Sequence, residues 1–257
     1  MSFGELLRWT FWDVLRTRKV VMMAVLASVG PLFAVVMQLS GDQVNVAGYS
    51  FVLQVAVYMF TLVLLSIVFG CSAIAGEVTG RTIPYLVTRP VSRTKILLAK
   101  YVSAVIIVSV VSVLACLATA AIFGIGVIGV DRVLKDVWVI PFAAAVYCAV
   151  FVALSTLLVR PVLPAVFYTF AIESWVSLIP GDFSKLSILT YVRVLADHEP
   201  PEAGAPSGIL EMLSNMSPPT ITTDQAWTTL SLIAVIALTV GVIAFGRGEY
   251  VPNEEAA

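Results

Sequence analysis

Six long apolar runs constrain the fold of this chain more than any other feature of its sequence. They cover residues 20–39, 49–75, 97–128, 137–159, 162–179 and 226–245. A helix that crosses a bilayer needs ~20 mostly apolar residues, which is close to the length of the shortest run. Charged residues make up only 12% of the 257 residues, whereas a water-soluble domain carries about 25%. We predict an all-α integral membrane protein, with six transmembrane helices in a single domain over residues 1–257.

The placement of lysine and arginine predicts the orientation, because short cytoplasmic loops are enriched in these residues. With six crossings, eleven of the 15 Lys and Arg residues lie on the side of both termini and four on the other side. Both termini are therefore predicted to be cytoplasmic (N-in/C-in), and residues 180–225 to be extracytoplasmic. Helical spacing of apolar residues over 183–195 predicts a helix within that external segment. Since nothing in the sequence is eukaryotic, we expect a multi-pass protein of a prokaryotic cell membrane.

Residues 1–19 alternate aromatic and charged side chains, among them Trp9, Trp12, Arg8 and Arg16. Tryptophans at the headgroups with arginines outward are typical of an amphipathic helix in the membrane interface. A cleaved signal peptide is the alternative, with the cleavage site near Ala27. The apolar run continues well past that residue, which favours the interfacial helix.

Several chemistries are not supported by the sequence. The glycine pattern at 124–129 matches a dinucleotide-binding fingerprint, but it ends a membrane helix and lacks the required strand before it. It is better explained as a helix exit or a packing site. There is no Walker A motif. His198 has acidic neighbours but no converging ligand set, so we expect a solvated loop residue and no metal site. The net charge of −1 gives no reason to expect nucleic-acid binding, and we expect no enzymatic activity or cofactor in this chain.

Polar residues inside the apolar runs are candidates for a translocation path or a subunit seam. Two sets have helical spacing, on the second and fifth runs: Gln54, Tyr58, Thr61 and Thr169, Glu173, Ser177. Glu173 is the one carboxylate that we place within a run. Whether it serves transport or is a structural residue hydrogen-bonded to a neighbouring helix is left open. A face of small residues on the third run (Ser109, Ser112, Cys116, Thr119) favours close helix packing.

A basic stretch, residues 76–96, interrupts the apolar pattern between the second and third runs. It contains four basic residues, Arg81, Arg89, Arg93 and Lys95, and one acidic residue. Its two prolines, Pro84 and Pro90, prevent a continuous helix. We predict a short cytoplasmic helix and an elbow, with the helix restarting at residue 94. The apolar residues 85–87 rimmed by arginines suit docking of a soluble protein. Contact with anionic lipid is the alternative, and composition leaves the two open.

The motif in this stretch resembles that of ABC-2-type transporter permeases, the membrane subunits of type V ABC exporters. It reads E-x-x-x-x-T-x-x-x-L-x-x-R-P-V-S-R-x-x-I-x-x-x-K, from Glu77 to Lys100. The six-span layout, the N-terminal helix, and the external segment with LSILTYVR (186–193) are also similar to that family. Many members have Gly-Thr where this chain has Arg81-Thr82, with the glycine displaced to position 80.

The resemblance implies a dimer of permease subunits, expected to be identical, with two copies of a separate ATP-binding subunit. ATP and Mg²⁺ would be held by that partner. It also implies that the loop between the second and third spans couples the two subunits, through Glu77, Gly80, Arg81, Thr82, Pro84, Tyr85, Arg89, Pro90, Ser92 and Arg93.

Three functions are consistent with the sequence. The first is an ATP-driven exporter of a lipid, an amphiphile or a small solute. The second is the same complex acting as a mechanical transmitter on an extracytoplasmic partner. The third, an ATP-independent channel or carrier, lacks the internal repeat that many carriers show.

Overall fold

The computed structural model describes Gly4 and residues 17–39, 46–79, 92–158, 160–173, 185–198 and 221–247. The regular structure of these residues is entirely helical. The helices are α1 (Thr17–Leu39), α2 (Val46–Val52), α3 (Val63–Thr79), α4 (Arg93–Phe123), α5 (Ile125–Ile128), α6 (Val130–Leu157), α7 (Val162–Tyr168), α8 (Ile188–Ala196) and α9 (Thr223–Arg247). Two π-helical stretches accompany them: Leu53–Leu62 joins α2 to α3, and Thr169–Glu173 extends α7.

Five helices in the described part of the chain are long and apolar enough to cross a membrane: Lys19–Leu39, Val46–Ala73, Arg93–Phe123, Val130–Leu157 and Thr223–Arg247. A sixth, Val162–Glu173, is shorter; its predicted run continues to residue 179, beyond the described residues. The prediction of an all-α membrane protein is confirmed. The interfacial helix predicted for residues 1–19 lies outside the described residues, except for Gly4 and 17–19, and the last three form the first turn of α1.

The centre of the bundle is α6, which packs against α3, α4 and α9. Small residues let these helices approach closely. A Cβ added to Gly70 on α3 would lie 2.7 Å from the Cβ of Phe151 on α6. One added to Gly241 on α9 would lie 3.4 Å from the Cα of Ala153. Thr119, from the predicted small-residue face, is buried and packs beside Gly30 of α1. Glycine residues and a hydroxyl-bearing side chain at these contacts thus set the distances between the helices.

Glycines also end α4. Gly124 and Gly129 have φ angles of +86° and +90° and flank the one-turn helix α5. These angles favour glycine because other residues lack steric room there. The interpretation of residues 124–129 as a helix exit is confirmed.

The contacts between helix termini define two ends of the bundle. At the first, which we call the loop end, Ala73, Leu97, Val152 and Phe245 form a buried cluster. There Arg93 Nη1, at the start of α4, donates to the carbonyl oxygen of Gly246 at the end of α9, at 3.5 Å. At the second, which we call the His198 end because His198 lies there beside Asp136 near the start of α6, Gln38 near the end of α1 donates to the carbonyl oxygen of Ile122 near the end of α4. The segment 80–91 therefore joins helices that meet at the loop end.

Candidate functional site

Asp136 is a fully buried carboxylate near the start of α6. It is six residues after Val130, and so about 9 Å along the helix axis. Three side chains bind it: Tyr49 Oη donates to Oδ2 at 3.0 Å, Tyr58 Oη donates to Oδ1 at 3.1 Å, and His198 Nε2 lies 2.8 Å from Oδ1. A buried carboxylate is tolerated only when donors or charges of this kind compensate its lost hydration.

His198 is buried, with 6% of its surface exposed, so the expectation of a solvated loop residue is wrong. Its Nδ1 lies 3.2 Å from Ser50 Oγ, which is also 3.5 Å from Arg132 Nη1. Because Arg132 can only donate to Ser50 Oγ, the serine hydrogen is available to donate to Nδ1. Because a carboxylate oxygen can only accept, Nε2 carries the hydrogen of the bond with Asp136.

The end of α8 explains how His198 reaches the bundle. Asp197 has a left-handed conformation (φ 58°), the His198 N–H donates to the Arg193 carbonyl at 3.1 Å, and the Asp197 N–H donates to the Val194 carbonyl at 3.3 Å. This pair of bonds is a Schellman motif. The motif reverses the chain, so that the side chain after it points back into the bundle instead of outward.

The π-helical winding of Leu53–Leu62 explains how Tyr49 and Tyr58 contact the same carboxylate. The two tyrosines are nine residues apart, and a regular α-helix would place them on opposite sides, about 180° apart. The wider turn of a π-helix reduces that angle, and such stretches are frequent at functional sites. Both rings pack edge-to-face on the His198 ring, with centroids 6.5 Å (Tyr49) and 6.2 Å (Tyr58) away.

An exposed ion pair lies beside the buried site. Lys135 Nζ is 3.0 Å from Asp197 Oδ2, and both side chains are more than half exposed. The hydrogen bond from the Lys135 ammonium, and its charge, hold the pKa of Asp197 below its ordinary value. Exposed pairs of this kind contribute little stability, about 0–1 kcal/mol. The buried contact of His198 is therefore the stronger link between this end of α8 and α6.

Glu173 binds the other end of α8. Its carboxylate accepts hydrogen bonds from the N–H groups of Ile188 and Leu189, from Ser187 Oγ and from Tyr168 Oη, at 2.7–3.1 Å. A carboxylate at a helix N-terminus satisfies N–H groups that have no partner within the helix, and it interacts favourably with the helix dipole. Glu173 is fully buried. These bonds support the structural alternative for this residue, and together with Asp136 they attach α8 to the bundle at both ends.

Arg193 lies between these two attachments and is 8% exposed. Burial lowers the pKa of Arg193 from its ordinary value, while nearby Tyr147 and Glu173 act in the opposite direction.

The predicted path residues that the structure describes are buried but do not form one lining. Tyr58 belongs to the Asp136 site, and Glu173 binds the far end of α8. Thr61 Oγ1 donates to the Leu26 carbonyl at 2.8 Å, which links the first two spans. Thr169 Oγ1 donates to the Ala165 carbonyl within its own helix at 3.0 Å, and Gln54 is 1% exposed. Ser177 lies outside the described residues.

Most of the predicted coupling residues also lie outside the described residues: Gly80, Arg81, Thr82, Pro84, Tyr85, Arg89 and Pro90. Glu77 falls within α3, close to its end at Thr79. Ser92 precedes α4, and its carbonyl accepts from the N–H of Lys95 at 3.0 Å. Arg93 begins α4, one residue earlier than predicted.

Sequence reasoning missed Asp136 because the fourth run was taken to begin at residue 137. Glu173 is therefore not the only carboxylate within a span. A usable signal was present: Val133, Val137 and Ile140 continue the helical apolar spacing back from the run. Extending the helix to Gly129 would have placed Asp136 inside it.

Comparison with known proteins identifies the family. The chain matches the model of a family described as ABC-2 family transporter protein over residues 10–179, more than half of its length. No curated protein matches the chain. The matched region includes every described helix from α1 to α7 and contains Asp136, Tyr49 and Tyr58. The chain therefore belongs to the ABC-2 family of transporter proteins and is a multi-pass membrane permease.

Proposed function

We propose that this chain is the transmembrane subunit of an ATP-driven ABC exporter in a prokaryotic cell membrane. A separate subunit binds ATP and Mg²⁺ and hydrolyses the nucleotide, and a dimer of the permease alternates between two conformations. Membership of the ABC-2 family carries this proposal. Nucleotide can drive the change only if it favours one conformation over the other. The chemistry thus resides in the partner, and this chain supplies the moving helices.

The proposed coupling element is the stretch 76–96 at the loop end of the bundle. The excess of Lys and Arg on this side supports a cytoplasmic location. The hydrogen bond from Arg93 to the Gly246 carbonyl links the start of α4 to the end of α9. A displacement of the loop would therefore be transmitted to both α4 and α9. The His198 end, with the segment that contains α8, would then face outward.

The test is recruitment of the ATP-binding subunit by a charge-reversed loop. We expect Arg89→Glu combined with Arg93→Glu to insert normally but to lose the ATPase on affinity purification from native membranes, because a cationic docking rim becomes anionic. Lys135→Glu combined with Lys185→Glu makes the same charge change away from the loop, so it should retain the ATPase. Full recruitment by the loop variant would refute the coupling assignment.

One observation favours the mechanical transmitter as a second candidate. Gln54, Tyr58 and Glu173 are each at most 1% exposed, so in this conformation they line no open path. Because α8 is attached to the bundle at both ends, motion of the spans would be passed to the external segment. Stoichiometric recovery of an extracytoplasmic protein with the purified complex, without substrate-stimulated ATPase activity, would support this candidate over export.

A further inference from the structure

The Asp136 site has the form of a cation site occupied by a side chain of the protein itself. Within the described part of the chain, His198 is the only ionisable basic side chain that hydrogen-bonds Asp136. The imidazole lies against the carboxylate and against the rings of Tyr49 and Tyr58. A carboxylate with two aromatic rings is a chemical set that recognises ammonium groups, by charge, by hydrogen bonding and by cation–π attraction.

We propose that Asp136, Tyr49 and Tyr58 bind the ammonium group of an organic amine, and that His198 is a built-in occupant that the amine displaces. Binding of the amine does not require the ATP-binding subunit. The further statement that the amine is a transported substrate rests on the proposed export function. In the occupied state the carboxylate is compensated by the His198 N–H and two phenol hydroxyls. When His198 withdraws, the hydroxyls alone remain, and a buried carboxylate with reduced compensation strongly favours a cation.

Replacement of His198 by an amine requires movement of only one of the elements that carry these groups. Asp136 lies on α6, while Tyr49 and Tyr58 lie on the α2 segment and its π-helical extension, which are packed in the bundle. His198 comes from a different segment, immediately after the Schellman motif of α8. Rotation of its side chain, or a shift of this end of α8, would vacate its place while the three other groups stayed in position. The attachment of the opposite end of α8 to Glu173 would keep the helix docked.

Other charged groups near the site affect how strongly it can bind a cation. Arg132, one turn before Asp136 on α6, reaches Ser50 at 3.5 Å and would repel a second cation. Lys135 is neutralised by Asp197 at the exposed edge. The Cys116 thiol lies 3.8 Å from Tyr49 Oη and is a weak acceptor that adds no charge when protonated. Removal of the Arg132 charge should therefore strengthen amine binding.

The test measures binding of benzylammonium to the purified full-length chain in neutral-lipid nanodiscs by calorimetry, with benzyl alcohol as the uncharged control. His198→Ala should bind benzylammonium at least ~10-fold more tightly than the unaltered chain, because the competing occupant is removed. Benzyl alcohol should show no such gain. Adding Asp136→Asn to His198→Ala should abolish the gain, whereas adding Asp224→Asn, an exposed carboxylate in the first turn of α9, should leave it.

Chemical rescue provides an independent readout. Imidazole should raise the Tm of the His198→Ala chain and compete with benzylammonium, since it refills the place of the missing ring. If His198→Ala fails to fold, Arg132→Gln and His198→Gln take its place. Both should raise the affinity for benzylammonium, His198→Gln by less than His198→Ala because its amide can still donate to Asp136. Equal affinity of the unaltered and variant chains for benzylammonium would overturn the proposal and leave His198 as a structural contact. This result is distinct from failure of ATPase recruitment, which the loop variants test.

Discussion

Glu173 is the residue for which the structure changes the expectation most. The sequence left open whether its carboxylate serves transport, whereas the hydrogen bonds from Ser187 Oγ and from the Ile188 and Leu189 N–H groups make it the N-terminal cap of α8. In Glu173→Gln the amide nitrogen would face N–H donors that need an acceptor. We expect a loss of about 1–3 kcal/mol of stability, seen as a lower Tm, and loosened docking of α8, seen as faster proteolysis of the segment around it.

The matched control is Asp224→Asn, which neutralises an exposed acid in the first turn of α9. It should leave the Tm and the proteolysis rate nearly unchanged. If Glu173→Gln reduced transport but kept the Tm and the proteolysis rate of the unaltered chain, the cap would be unimportant for stability and the transport role would stand.

Residue partners were the part of the site that the sequence could not predict. Asp136 and His198 are separated by 62 residues along the chain, and apolar spacing carries no information about such pairs. Burial of a polar loop residue depends on where the chain turns, and here a left-handed Asp197 makes that turn. By contrast, the sequence singled out Glu173, because a carboxylate in an apolar run is costly wherever its partners lie.

At the level of helices, close packing between α3 and α6 gives a direct prediction. In Gly70→Ala the new Cβ would meet Phe151 at 2.7 Å, and the contact includes the Phe151 and Val152 backbone. Since the backbone of a central helix cannot yield locally, we expect about 1–3 kcal/mol of destabilisation, measured as a lower Tm in nanodiscs. Gly126→Ala is the control, because nothing lies within 4 Å of its added Cβ. Equal Tm values for the two variants would contradict the packing described here.

The length of the apolar runs predicted which segments are helical. It did not predict whether a segment is wound as an α-helix or as a π-helix. The runs at 20–39, 97–128 and 226–245 correspond to α1, α4 with α5, and α9, because a bilayer span demands many apolar residues in succession. Nothing in the composition of Leu53–Leu62 distinguishes a π-helix from an α-helix. The assumed spacing of Gln54, Tyr58 and Thr61 on one α-helical face therefore did not capture the pairing of Tyr58 with Tyr49.

The topology of the whole molecule depends on the fifth apolar run. Its described helix, Val162–Glu173, has 12 residues and measures about 18 Å, so it crosses a ~30 Å core only if it continues through the predicted run to residue 179. The Arg93–Gly246 hydrogen bond places the start of α4 and the end of α9 at the same end of the bundle.

We therefore expect a reporter fused after Ala257 and one inserted into residues 80–91 to be cytoplasmic, and one inserted after Gly204 to be external. A control insertion between α5 and α6, after Gly129, should also be external. An external reading after Ala257, with residues 80–91 still cytoplasmic, would mean that the fifth run does not cross and would contradict the Arg93–Gly246 contact.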